Sequence, residues 1–182
     1  MKLYHGTLIS GLETLAAGSR DRQGNPVLYL TDCFPYSLFY LRDREVDFVT
    51  CGVGRDGIVR YDEKFPDQLK LLYQGRAGYV YETEAAAQPG NAPGIWVCRD
   101  SVKVTGVRFI PDAYQEITEQ IGRGTVEFLP YEALTPEQKR LNHAGILQYL
   151  QQYPLTPAQK AFCREHFPKA WMEAQNLLAQ RG

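Results

Sequence analysis

Cysteine, histidine and tryptophan are scarce in this chain: four, three and two among 182 residues. Cys33, Cys51, Cys98 and Cys163 are scattered without a C-x-x-C pair. That spacing argues against a zinc site and against a disulfide framework, and it leaves free, buried thiols. His143 and His166 lie in the tail without metal-ligand spacing and read as structural, so no metal is expected. Long apolar runs are lacking too. None approaches the roughly 20 residues of a membrane span, and Met1 leads directly into Lys2-Leu3-Tyr4-His5 without the pattern of a signal peptide. The expectation is a cytoplasmic protein with no membrane partner. An excess of charge of either sign is also missing. Twenty Lys and Arg face 21 Asp and Glu, for a net charge of -1 and a pI near 6.3. Bulk electrostatics therefore gives no pull toward nucleic acid or anionic lipid, and only a local basic patch could do so.

What the chain has is material for a core. Apolar residues make up 44% and charged residues 23%, with 12 Tyr and eight Phe, the composition of an ordinary globular protein. Short strands are predicted at 2 to 6, 27 to 30, 47 to 51, 57 to 61, 78 to 83, 95 to 98, 102 to 110 and 125 to 129. Helices are predicted at Ile9 to Leu15, Pro35 to Leu41, Pro66 to Gln74 and Asp112 to Ile121. Ser19 to Pro26 and Ala85 to Gly94 read as loops, and loops of this type often lie over ligands. From Leu134 the composition shifts to Gln, Ala and Leu. Leu134-Thr135-Pro136-Glu137-Gln138-Lys139 is echoed by Leu155-Thr156-Pro157-Ala158-Gln159-Lys160. Each echo places Thr at an N-cap and Pro at the first helical position, where a missing amide proton costs nothing. The expected organisation is α+β, with one domain over 1–130 and a helical extension over 131–182, broken near Pro168.

Few residues point to chemistry. His5 ends a short strand, and its two nitrogens can donate to or accept from sugar hydroxyls. Gly6 behind it has no side chain to hold a ligand away from its backbone. Taken alone, His5 reads first as a turn histidine with satisfied nitrogens. Tyr29 sits within Val27-Leu28-Tyr29-Leu30-Thr31-Asp32, and Tyr40 follows 11 positions later. Two such rings can form the faces of an aromatic slot for a planar cation. Taken alone, each also reads as a core tyrosine with its hydroxyl at an edge.

In combination, Tyr4-His5-Gly6-Thr7, Leu28-Tyr29-Leu30-Thr31-Asp32 and Tyr40 resemble the ADP-ribosyltransferase superfamily. The branch is that of diphtheria toxin and the poly(ADP-ribose) polymerases, with a His-Tyr-acid triad. The small rifampicin ADP-ribosyltransferases, which open with a Tyr-His-Gly-Thr strand, are similar as well, and RNA 2'-phosphotransferases share the fold. The likeness spans roughly residues 3 to 110. It implies a split β-sheet with NAD, the substrate, bound in the cleft between its halves. His5, Tyr29 and Tyr40 would converge on that cleft. It further implies that His5 bonds the adenosine ribose, that the Gly6 backbone holds the carboxamide, that Thr7 supports the His5 turn, and that Tyr29 and Tyr40 sandwich the nicotinamide. Nicotinamide would leave and ADP-ribose would pass to an acceptor that the sequence does not name: protein, nucleic acid, small molecule or water.

The third residue departs from the family pattern. In the polymerases a Glu opens a late strand, whereas Gly94 or Ile95 stands at the matching place here. The rifampicin-modifying enzymes take their acid from the preceding loop, which makes Glu82 and Glu84 the substitutes; both also read as a solvated strand end. Without a third acid, the alternative is an inactive member of the same fold that serves as a ligand sensor or interaction module. Arg55, Arg60, Arg76 and Arg99 could meet a pyrophosphate, but single arginines are usually surface charges and none is assigned.

Overall fold

The computed structural model describes residues 1–21, 23–43 and 48–179. These divide into two compact units, one drawn from the described residues of 1–42, 50–61 and 69–128 and the other from those of 43–49, 62–68 and 129–179. The fold is α+β, with mostly antiparallel strands.

The first unit opens with β1 (Lys2–Thr7), β2 (Thr14–Leu15), β3 (Ser19–Arg20) and β4 (Pro26–Thr31), followed by α1 (Phe34–Leu38). Then come β5 (Cys51–Val53), β6 (Val59–Asp62), α2 (Gln68–Tyr73), β7 (Gly78–Glu84), β8 (Gln88–Pro89), β9 (Ile95–Cys98), β10 (Val102–Ile110), α3 (Ala113–Gly122) and β11 (Val126–Leu129). The large sheet runs β2-β10-β7-β1-β4-β9-β8, with β3 added on β4, and a three-stranded sheet runs β11-β6-β5. Alternation explains why the large sheet can pack. Leu3, Leu28, Leu30, Tyr81 and Cys98 fall on one face of their strands and bury together with Leu15. On the other side, Phe39 stacks on Tyr61 at 5.2 Å and meets Tyr73 edge-on at 5.7 Å, and the Tyr73 hydroxyl donates to the Phe39 carbonyl at 3.1 Å.

Four expectations are corrected here. Ile9 to Leu15 is not a helix: Gly11 takes a φ of 70° and the segment ends in β2. The Tyr81 hydroxyl accepts from Leu12 N–H at 3.1 Å and donates to the Ile9 carbonyl at 3.0 Å, so the backbone groups a helix would pair internally are held by a distant side chain. Ser19 to Pro26 is a hairpin rather than a loop, since β3 pairs Ser19 with Val27 and Arg20 with Pro26. Within Ala85 to Gly94, β8 pairs Gln88 with Val97 and Pro89 with Trp96. The strand expected at Asp47 to Cys51 lies partly outside the described residues, and of its described part only Cys51 is extended into β5; Phe48, with a φ of 40°, and the two residues after it are not in a strand. The strand pairing expected there is made instead by Cys51–Val53 with β6. The helix expected at 112 to 121 forms with Asp112 as its N-cap, accepting from Gln115 N–H at 3.1 Å.

The second unit is helical, with a short turn at Tyr131–Ala133 followed by α4 (Pro136–Gln152), α5 (Pro157–His166) and α6 (Pro168–Ala179). The two Thr-Pro echoes become complete capping boxes. Thr135 accepts from Gln138 N–H and Thr156 from Gln159 N–H, each at 3.2 Å, while each Gln side chain returns to the cap amide. Thr156→Ala should therefore cost about 1 kcal/mol, read as a fall of about 2–4 °C in the thermal midpoint. An unchanged melt would deny the cap its role. The break before Pro168 falls at Phe167, whose φ of -128° and ψ of 49° leave the helical region.

Phe65, Ile146, Leu150, Cys163, Phe167, Ala170 and Ala174 form the core of this unit. Burial pushes the Cys163 thiol up to about 11. Its contribution to stability is complete below the thiol's unfolded value of about 8.5 and is lost as the pH climbs through the folded value. Cys98 is buried as well, whereas Cys33 and Cys51 are half-buried. Iodoacetamide at pH 8 should leave Cys98 and Cys163 unmodified in the folded protein and reach them after denaturation, as mass spectrometry would show. No helix among the described residues is long and apolar enough to cross a membrane.

Candidate functional site

The site is built on β1, which pairs with β7 from Lys2↔Glu84 to Thr7↔Tyr79 but meets β4 at Tyr4↔Thr31. Continuing that register sets Gly6 opposite Tyr29 and His5 opposite Leu30. Tyr4, Gly6, Tyr29 and Thr31 therefore share one face, and the Cβ of His5 starts on the other. The imidazole nevertheless turns to the seam between the strands. Its Nδ1 lies 3.1 Å from the Tyr29 carbonyl oxygen, 24 residues away in sequence. A carbonyl only accepts, so Nδ1 carries a proton and donates it. Thr7 closes the strand, its hydroxyl accepting from Ile9 N–H at 3.3 Å.

Gly6 is the tightest point of this face. A Cβ there would fall inside the van der Waals envelope of the Ser37 carbonyl oxygen and 3.3 Å from the Cβ of Tyr40. Glycine is thus what lets β1 lie directly against the α1 segment. That segment starts with Pro35 in its first turn, and the Ser37 hydroxyl donates to the Phe34 carbonyl at 2.6 Å. Tyr40, just past the helix, packs edge-on against Tyr36 at 5.5 Å and donates from its hydroxyl to that of Tyr36 at 3.2 Å. Burial, and then the neighbouring Tyr40, raise the Tyr36 phenol and keep it protonated. Two residues before the start of α1, Asp32 accepts from the Trp96 indole at 2.9 Å, which ties the end of β4 to β9.

The Tyr29 ring opens onto a concavity of about 490 Å³, lined by Tyr29, Asp21, Gln88, Asn91, Arg99 and Asp100 among others. That volume falls within the roughly 300–1,000 Å³ of small-molecule sites. Tyr29 pairs with Val97 and Val97 with Gln88, so three strands present one face to it. The Asp21 carboxylate is fixed by the amides of Gln23 at 2.9 Å and Asn25 at 2.8 Å, with the Arg99 guanidinium at 3.4 Å. Partial desolvation pushes this carboxyl up, but the hydrogen bonds from Asn25 and Gln23 and the charge of Arg99 outweigh it. The net effect holds Asp21 below the ordinary carboxylate range.

Glu82 and Glu84 both lie on β7, with β1 between them and β4. Glu82 sits opposite Tyr4 and pairs with Lys2 at 2.8 Å, and Glu84, opposite Lys2, is exposed. Neither is among the residues that line the Tyr29 concavity, and the carboxylates there are those of Asp21 and Asp100. Sequence reasoning passed over these two. A signal existed for Asp21, because an Asp ahead of Gln23-Gly24-Asn25 is a side-chain-capped turn. That the hairpin delivers it beside Tyr29 depends on the pairing of β3 with β4. Among the described residues no group of three or more His, Cys, Asp or Glu is placed to hold a metal ion. No family model matches the chain, and neither does any curated protein or solved structure.

Proposed function

We propose that the first unit is an ADP-ribosyltransferase-like domain that binds NAD and passes its ADP-ribose to an acceptor, releasing nicotinamide. The observation that carries this is the bond between His5 Nδ1 and the Tyr29 carbonyl at 3.1 Å, which links the two motifs on which the resemblance rests. Gly6 packed against the Tyr40 segment adds the third part of the same constellation. In this reading Tyr29 and Tyr40 flank the nicotinamide, the Gly6 backbone holds its carboxamide, and His5 and Thr7 hold the ribose and the turn.

The chemistry follows from the leaving group. The bond between the ribose C1' and the pyridinium nitrogen breaks, and its electron pair departs with nicotinamide, which becomes neutral. Positive charge then spreads over C1' and the ring oxygen until the acceptor's nucleophilic atom bonds to C1' and gives up its proton. A carboxylate near the ribose stabilises that charge and can take the proton. Asp21, ionised and fixed beside Tyr29, is better placed for this than Glu82, which is committed to Lys2.

A second reading, a sensor that binds NAD without turnover, is favoured by one observation: β9 opens with Ile95 after Gly94 and has no carboxylate at its start. Nicotinamide release from NAD, followed by chromatography with and without candidate acceptors, separates the two. Release above the buffer rate supports transfer. Saturable NAD binding with no release supports the sensor, and neither binding nor release removes both.

A further inference from the structure

We propose that the second unit carries a separate binding site for a small phosphate-bearing ligand with a compact apolar group, that is, a phosphomonoester. The site is a cavity of about 230 Å³ lined by Lys64, Lys139, His143, His166 and Lys169, and no Asp or Glu among the described residues lines it. These five side chains come from the segment before α2, from α4 and from the α5–α6 junction, so the fold gathers three lysines that are far apart in sequence, with two imidazoles between them.

Lys64 is the clearest member. It is half-buried, and its ammonium donates to the Asn142 side-chain oxygen at 2.7 Å, a neutral acceptor. Desolvation lowers its pKa in spite of the opposing charge of Asp62. A desolvated ammonium resting on an amide gains most from an anion placed beside it. Lys139 is held with its nitrogen 4.6 Å from the centre of the Tyr131 ring, which fixes where its charge sits. The first turn of α6, at Lys169 and Ala170, also lines the cavity, and the start of that 12-residue helix adds the positive end of its dipole. The nearby described acids are turned to other partners or lie outside the lining: Glu63, buried, accepts from Tyr131 N–H at 3.0 Å. Glu173 pairs with His143 at 2.8 Å, and Asp62 and Glu165 act on Lys64 and His166 from outside the lining.

The rest of the wall is apolar. Phe65, Ile146 and Phe167 contribute to it, and the His166 ring stacks on Phe65 at 4.4 Å. A lining that combines lysines with aromatic and aliphatic surface suits a ligand that has an anionic and an apolar group. The volume lies below the roughly 300–1,000 Å³ of drug-sized pockets, which is too small for a dinucleotide and separates this site from the NAD reading of the first unit.

Calorimetric titration of the full chain with phenyl phosphate and with inorganic phosphate, at pH 7 and constant ionic strength in chloride, tests the proposal. The expected result is 1:1 binding of phenyl phosphate, about tenfold tighter than inorganic phosphate. Lys64→Met and Lys169→Gln should each weaken it about tenfold. Lys169 is exposed, so its variant remains informative if Lys64→Met does not fold. The proposal is overturned if phenyl phosphate at 10 mM shows no saturable binding, if benzyl alcohol binds as well, or if the folded lysine variants bind like the wild type. This test is blind to NAD turnover, so its failure leaves the proposed function standing, and the reverse is equally true.

Discussion

Gly6→Ala should lower the stability of the chain by about 3 kcal/mol, the upper end of what overpacking a filled site usually costs. The reason is the identity of the obstructing atom. The added methyl meets the Ser37 backbone carbonyl, which cannot swing aside as a flexible side chain would. Relief requires β1 and the α1 segment to separate, and that movement also displaces Tyr40, whose Cβ lies 3.3 Å from the same methyl position. Urea unfolding of wild type and variant gives the number directly. Gly18→Ala is the matched control, because a Cβ at Gly18 meets nothing within 4 Å. Its effect should stay within about 0.5 kcal/mol. Equal stability for Gly6→Ala and wild type would show that β1 and the α1 segment do not pack as described.

The second large effect concerns chemistry. If the chain releases nicotinamide from NAD, His5→Ala should cut the rate about a hundredfold, the scale on which a small misplacement of reacting groups acts. His5 bonds the Tyr29 carbonyl through Nδ1, so its loss unties the seam and, in the proposed reading, also removes the group that would hold the ribose. A fall confined to kcat, with the thermal midpoint preserved, assigns the effect to the site. Wild-type turnover in a folded His5→Ala protein would remove His5 from the mechanism. Asp21→Asn, against Glu82→Gln, then identifies the acid: the larger loss is expected for Asp21.

Much of the fold was legible because its signals are local. The Thr-Pro-x-Gln pattern at 135 to 138 and at 156 to 159 specifies a helix start through bonds made within four residues, and both starts formed there. Strands with apolar alternation, such as 78 to 84, needed only their own side chains to declare a buried face. The failures share one cause. The segment 9–15 reads as helical by apolar spacing, but Tyr81, some 70 residues on, takes its backbone groups. The strands β3 and β8 are two residues each and acquire their conformation only from partners, so composition marks them as loops.

The candidate site divides the same way. His5, Gly6, Tyr29 and Tyr40 stand out in the sequence as a pattern, whereas Asp21 and Asp100 reach the Tyr29 concavity through strand pairings. The acids to which the resemblance points, Glu82 and Glu84, sit on the strand beyond β1 because the order β7-β1-β4 interposes it.

The central claim is that the first unit binds NAD through the His5, Gly6, Tyr29 and Tyr40 constellation, and its most direct test is the thermal midpoint of the full chain titrated with NAD. At a concentration 100 times the dissociation constant, a ligand specific to the native state adds about 2.7 kcal/mol, which for a chain of this size raises the midpoint by about 5–10 °C. The account predicts a saturable rise of that order in the wild type and none in folded Tyr29→Ala. A wild-type midpoint indifferent to millimolar NAD would contradict it.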